Sequence, residues 1–228
     1  MPHAARIALY YAPLPTDPLH LAASAWLGRD AETNAPVAQP NLPDIEAITA
    51  EARMYGFHAT LKPPMHLAEG TTWADVRATA RTIAATVPAF DLPRLAVTDL
   101  GGFLALCEVS PSARLQSFSD ACVAGADHLR APLTDADIAK RRKGGTLPPA
   151  QDANLLRWGY HYVFATWTFH MTLTRRLTAE EKAIYLPAAQ AHFAEILAQP
   201  RRVTDLALFT QSAPGAAFTI AERFPLAA

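Results

Sequence analysis

A histidine followed two positions later by a threonine occurs twice in this 228-residue chain, each time inside nearly the same pentamer. Phe57-His58-Ala59-Thr60-Leu61 returns 112 residues later as Phe169-His170-Met171-Thr172-Leu173, with only the middle residue changed. Each pentamer reads as a strand. Side chains alternate faces along a strand, so the His and Thr of a copy share one side, roughly 6–7 Å apart. The Phe, the middle residue and the Leu share the other side and can enter a core. One copy in each half of the chain suggests two similar lobes facing one site.

Two histidines on opposite walls of a cleft can open a cyclic phosphodiester. A base must take a proton from the attacking water, and an acid must protonate the departing alkoxide. In an in-line displacement those two oxygens lie on opposite sides of phosphorus. Histidine suits both roles, because its pKa of about 6.5 lets neutral and protonated forms coexist near neutral pH. Hydroxyls fixed beforehand can donate to the phosphoryl oxygens. On this reading His58 and His170 are the acid–base pair, in either order, and Thr60 and Thr172 bind phosphate. The chemistry requires no metal and no cofactor. A single His-x-Thr is more often a structural histidine on a half-buried strand; it is the doubling that argues for function.

Other residues are secondary candidates for binding substrate. By period-two counting Lys62 shares the face of His58 and Thr60 and can reach a phosphate; otherwise it is a solvated lysine at a strand end. Tyr10 or Tyr11 can stack a base or bind a ribose hydroxyl, or simply fill a core. Tyr55, Trp158, Tyr160 and His161 lie near the motifs and can form an aromatic wall, with buried packing the alternative for Trp158. Arg175 and Arg176 follow the second motif, and one of them can counter phosphate charge. The most basic run, Lys140-Arg141-Arg142-Lys143, reads as a solvated helix end rather than as a second phosphate or RNA-backbone site. His3, His20, His66, His128 and His192 have no metal-ligand spacing.

Composition limits the partners. Half of the residues are hydrophobic, the formal net charge is −1 and the pI is about 6.7. Nothing draws the whole chain to a polyanion, so long nucleic acid is not an expected partner. A small phosphorylated metabolite or an RNA end needs only a local positive site. Cys107 and Cys122 sit in apolar contexts and read as buried, reduced thiols of a cytoplasmic protein. No stretch approaches the roughly 18 apolar residues that span a membrane.

The elements that must hold the motifs follow from punctuation and period. Arg6–Tyr11 reads as a strand, Pro18–Leu27 as a helix, and Gly28–Pro43 as a loop. A weak helix around Asp44–Ala52 leads into the first motif. Thr72 with Asp75, Thr134 with Asp137 and Thr178 with Glu181 are capping patterns that open helices. Leu92–Leu100 and Phe103–Val109 read as a hairpin around Gly101-Gly102. A helix follows Ser110-Pro111, Ala150–Trp158 forms another, and Gly144-Gly145 lies in a loop. The second motif strand is expected from Phe164 to Thr174. Pro187 should kink or break the last helix, and strands at Val203–Thr210 and Ala217–Arg223 close the chain. No linker divides it, so residues 1–228 read as one domain.

The paired motifs resemble the H-x-[ST] signatures of the two-histidine phosphoesterase superfamily. The longer phrases Tyr55-Gly56-Phe57-His58-Ala59-Thr60-Leu61-Lys62-Pro63-Pro64, Leu100-Gly101-Gly102-Phe103-Leu104-Ala105-Leu106 and Trp158-Gly159-Tyr160 resemble a subgroup labelled as phosphonate-metabolism proteins. The resemblance covers nearly the whole chain. It implies an α+β fold, bilobed, with two antiparallel-sheet lobes and flanking helices around a central cleft. It also implies metal-independent hydrolysis of a small cyclic phosphodiester, such as a ribosyl cyclic phosphate. The alternatives are an RNA-end enzyme acting on 2′,3′-cyclic ends or 2′–5′ linkages, and a non-catalytic module that binds a phosphometabolite.

Overall fold

The computed structural model of the protein describes residues 6–142 and 145–228. His3, Lys143 and Gly144 lie outside the described residues. The elements in chain order are β1 (Arg6–Tyr11), α1 (Pro18–Leu27), α2 (Ile45–Tyr55), β2 (Ala59–His66), α3 (Trp73–Thr86), β3 (Phe90–Leu92), β4 (Leu95–Leu100), β5 (Phe103–Glu108), α4 (Ala113–Gly125), α5 (Asp135–Arg142), α6 (Pro149–Trp158), β6 (His170–Arg176), α7 (Ala179–Leu197), β7 (Arg201–Val203), β8 (Asp205–Gln211) and β9 (Thr219–Pro225). The class is α+β. Seven strands form one antiparallel sheet in the order β4-β5-β6-β2-β1-β8-β9, and β3 pairs with β7 apart from it.

The two expected lobes are the two halves of that sheet. They meet where motif strands β2 and β6 lie side by side, and there the ladder has a single registered pair, Ala59 with Met171. A ladder this short leaves backbone groups to be satisfied by other donors. Side chains supply them: Trp167 Nε1 donates to the Thr60 carbonyl (2.8 Å), Ser119 Oγ to that of Leu61 (3.3 Å) and Trp26 Nε1 to that of Leu173 (3.2 Å). The helices cross over the seam. α2 runs directly into β2 yet packs on β6, while α4, from the other half, packs on β2. Phe57, Ala59 and Leu61 therefore share one hydrophobic cluster with Phe169, Met171 and Leu173. Alternation works as expected on β1, where Ile7, Leu9 and Tyr11 join that cluster and Ala8 and Tyr10 join a smaller one on the opposite face.

Local signals hold in several places. Thr72–Asp75 and Thr178–Glu181 both form reciprocal capping boxes. Gly101 and Gly102 both have positive φ, 62° and 106°, which a two-residue hairpin turn of the primed type requires. Cys107 and Cys122 are free and buried.

Other expectations are corrected. Pro93 interrupts the first hairpin arm, so Leu92 belongs to β3 and β4 begins at Leu95. The second motif strand begins at His170; Phe164–Thr166 is a turn of 3₁₀ helix. Helix α7 runs through Pro187 without a break, with the proline on its exposed side. Among the described residues, no helix is long and apolar enough to cross a membrane.

The largest correction concerns Lys62. The β1–β2 register shifts between Leu9↔Lys62 and Tyr10↔Thr60, so Leu61 is an extra residue in the ladder. Such a bulge breaks the period of two and turns Lys62 to the core side, opposite Leu9. There it is 1% exposed, pairs with Asp127 Oδ1 at 3.0 Å and donates to the Val123 carbonyl. Arg130 and Arg157 also pair with Asp127, each at 3.0 Å. Removing the carboxylate would strand a buried ammonium beside two guanidinium groups. Asp127→Ala is expected to cost about 3–5 kcal/mol, and Lys62→Met clearly less, because Asp127 keeps two partners. Denaturant unfolding measures both; equal losses, or the reverse order, would show that Asp127 does not hold Lys62 in this way.

Candidate active site

The register at the seam builds the site. One residue to either side of the Ala59–Met171 pair, His58 falls opposite Thr172 and Thr60 opposite His170. All four side chains are half-buried, while the Phe, middle and Leu positions of both motifs are buried. The rungs continue across the sheet: Tyr10 lies opposite Thr60, Cys107 opposite His170 and Ala105 opposite Thr172. The His and Thr pairs thus form a near-symmetric quartet on the open face, with the histidines on one diagonal.

Both imidazoles are anchored alike. His58 Nδ1 lies 2.9 Å from the Gly56 carbonyl, and His170 Nδ1 lies 2.9 Å from the Thr168 carbonyl. In each case the partner is the backbone oxygen two residues earlier. A carbonyl only accepts, so Nδ1 carries the hydrogen and Nε2 of the neutral ring keeps its lone pair. Thr60 Oγ1 is 3.2 Å from His58 Nε2 and donates to it. The Gly56 anchor depends on glycine. Gly56 has φ +75°, and a Cβ there would come within 2.5 Å of the Ala31 Cβ.

The surroundings of the two rings differ. Tyr10 stacks on His58 with ring centroids 3.7 Å apart and an 18° tilt. Tyr55 and Phe209 complete an aromatic wall at 6.3 and 5.9 Å from His58. His170 meets the edge of Phe103 at 6.0 Å. Burial holds the His58 imidazole down at about 4; the Gly56 carbonyl opposes this, and the charge of His170 adds to it. Burial lowers His170 as well, against the pull of the Thr168 carbonyl. Burial also pushes the Tyr10 phenol up, with Tyr55 and Tyr160 adding to it, so it stays protonated.

The secondary candidates divide. Tyr10 and Tyr55 belong to the wall around His58. Tyr160 is half-buried beneath the Arg141 guanidinium, 5.2 Å from ring to cation. Lys62 is turned away from the site. Arg176 is exposed at the far end of β6, opposite Phe103, where it donates to the Gly101 carbonyl and closes the hairpin. Arg175 pairs with Glu181. The basic run is not uniformly solvated: Arg142 pairs with Asp152, whereas Arg141 turns inward over Tyr160. Sequence reasoning missed the Gly56 and Thr168 carbonyls, Trp167 and the inward turn of Arg141. Only the matching positions two residues before each histidine hinted at any of these.

Comparison with known proteins adds relatives. A family model described as a protein of unknown function (DUF1045) matches residues 60–219. The chain is 40% identical over 229 residues to a ribose 1,5-bisphosphate phosphokinase PhnN of Janthinobacterium sp. (strain Marseille), covering 96% of the chain and 50% of the relative. It is 42% identical over 219 residues to the protein of the same name from Laribacter hongkongensis (strain HLHK9), covering 94% and 50%. The chain thus spans about half the length of the curated relatives it matches. Similar solved structures include E. coli LigT in apo form (14% identity, 98% of each chain, TM-score 0.45) and a phosphoesterase (14%, 99% of each, TM-score 0.44). At that distance, the chemistry of the site is read from its own geometry.

The anchoring is directly measurable. Nitrogen-15 NMR at pH 7 should find both rings neutral with the hydrogen on Nδ1, and His58 should remain neutral until about pH 4. A hydrogen on Nε2, or a His58 titration at or above the ordinary value of about 6.5, would contradict the arrangement.

Proposed function

The chain belongs to the DUF1045 family, whose description names no reaction, and from the site itself we propose that it is a phosphodiesterase hydrolysing a small cyclic phosphodiester between two histidines. One observation carries this reading: the dyad-like quartet of His58, Thr60, His170 and Thr172, with both Nδ1 atoms tied to backbone carbonyls. Each Nε2 is thereby left for proton transfer.

His58, neutral down to about pH 4, acts as base. Its Nε2 takes a proton from water as the water oxygen bonds to phosphorus. The ring P–O bond breaks on the opposite side. His170, as imidazolium, gives its Nε2 proton to the departing alkoxide. The negative phosphodiester favours that charged form when bound. Thr60 and Thr172 donate to the non-bridging oxygens. The products are a phosphomonoester and an adjacent free hydroxyl, and proton exchange with water resets the pair.

The substrate class is a ribosyl cyclic phosphate. Its support is the name of the relatives, which concerns a ribose 1,5-bisphosphate. Hydrolysis of a ribose 1,2-cyclic phosphate at the O2 bond would yield a ribose 1-phosphate. An oligonucleotide with a 2′,3′-cyclic end is the competing substrate, and tight binding without turnover would point to a phosphometabolite-binding module.

His58→Ala and His170→Ala are each expected to lower kcat by about 10²–10⁴-fold, with EDTA leaving the wild-type rate unchanged. Thr60→Val or Thr172→Val should cost roughly 10²-fold or less. The kcat/KM profile should rise near pH 4, as His58 loses its proton. It should fall again below the ordinary histidine value, because burial weakens the hold of His170 on its proton. In kcat both limbs should move to higher pH. Near wild-type turnover by either alanine variant removes the pair from the mechanism, and a preference for the oligonucleotide replaces the ribosyl substrate.

A further inference from the structure

The face of β1 that carries Tyr10 continues past the catalytic rung. Arg6, Ala8 and Tyr10 point to the same side, with Arg6 about 13 Å along the strand from Tyr10. His66 lies opposite Arg6 on β2, and Thr60 lies opposite Tyr10. Beyond them α5 and α6 close a recess of about 90 Å³, partly open to solvent, whose walls include Arg6, His66, Arg141 and Trp158.

The recess is positively charged, although the chain as a whole is not. Among the described residues, neither Arg6 nor Arg141 has a carboxylate within ion-pair distance. The one carboxylate in the wall, Asp137, is engaged by the backbone N–H and hydroxyl of Thr134 as the cap of α5. Both guanidinium groups are held on aromatic and polar supports. Arg6 donates to Gln211 at 2.8 Å and lies 5.3 Å above Phe218, and Arg141 lies 5.2 Å above Tyr160. Phe218 in turn stacks on Tyr55 at 5.3 Å, and Tyr55 is 6.3 Å from His58. Arg6 therefore leans toward the catalytic end. Burial weakens the hold of Arg141 on its proton; Tyr160 and Asp137 oppose this, and the nearby charges of Arg6 and Arg130 add to it. Two partly buried cations that repel each other, with one capped carboxylate in the same wall and no direct ion pair, are stabilised by an anion arriving from solution.

We propose that this recess is a second anion subsite, which takes a phosphomonoester carried by the same small molecule whose cyclic phosphodiester lies between His58 and His170. The proposal rests on the hydrolase reading for its second half and narrows the substrate to a doubly phosphorylated sugar. A guanidinium fork recognises the monoester by paired hydrogen bonds, and the rings of Phe218 and Tyr55 link Arg6 to His58. Arg6 and Arg141 are binding residues here, not proton-transfer groups.

Two measurements test it. The first titrates ribose 5-phosphate and ribose into wild type, Arg141→Gln, Arg6→Gln and His170→Ala by calorimetry. Ribose 5-phosphate should bind wild type and His170→Ala, and bind either arginine variant at least tenfold more weakly. Ribose should not bind measurably. The second compares kcat/KM for ribose 1,2-cyclic phosphate with and without a 5-phosphate. Wild type should prefer the phosphorylated form at least tenfold, and Arg141→Gln should lose most of that preference through KM, with Arg141→Lys restoring part of it. Binding of ribose 5-phosphate no tighter than ribose, or equal binding by wild type and both arginine variants, overturns the subsite. Turnover of neither cyclic ester, with arginine-dependent binding of ribose 5-phosphate intact, removes the hydrolase reading and leaves the subsite standing.

Discussion

The one-rung seam between β2 and β6 is the constraint on which the rest of the structure depends. Two strands paired at Ala59–Met171 and parting on either side hold four polar side chains close together without sealing them in a continuous sheet. A longer ladder would bring the strands into full contact and flatten the face. No ladder would let the lobes drift. The cost of the short ladder falls on backbone groups, and Trp167, Ser119 and Trp26 supply donors to the motif strands. The crossed packing of α2 on β6 and α4 on β2 ties each half to the other through the core. The seam is thus stiffened from behind while its front stays open.

Electrostatics follows from that geometry. Burial disfavours protonation of both imidazoles of the quartet, and the charge of His170 disfavours that of His58 further. Such a pair is neutral when alone and gains a proton most readily when an anion lies between the rings. The same logic operates at longer range in the recess beyond β1, where positive charge is concentrated in a chain with a net charge of only −1. Aromatic rings from Tyr10, Tyr55 and Phe209 surround His58. His170 lies opposite the smaller Cys107, with Phe103 at its edge. A pseudo-symmetric pair is thereby given two unlike environments, and unlike environments are what separate a base from an acid.

Much of this was legible in the chain because it depends on short-range rules. Alternation along the pentamers put His and Thr on the open side, and the capping patterns at Thr72 and Thr178 and the Gly101-Gly102 turn depend on neighbours only. What was not legible depends on register and on side-chain reach. Period-two counting put Lys62 beside Thr60, but a bulge at Leu61 reverses its face, and a bulge leaves no mark in composition. Arg176 follows the second motif in sequence, yet six residues of extended strand carry it to the far end of the sheet. Arg141 lies in a run whose charge suggested solvent, while its own side chain folds inward onto Tyr160. The carbonyl anchors at Gly56 and Thr168 are backbone groups, which side-chain chemistry does not announce.

A crystal structure grown with vanadate or phosphate tests the central claim most directly. The account predicts the anion within hydrogen-bonding distance of Nε2 of both His58 and His170, with the hydroxyls of Thr60 and Thr172 on its oxygens. An anion that bypasses the quartet, or imidazoles too far apart to share one, would contradict it.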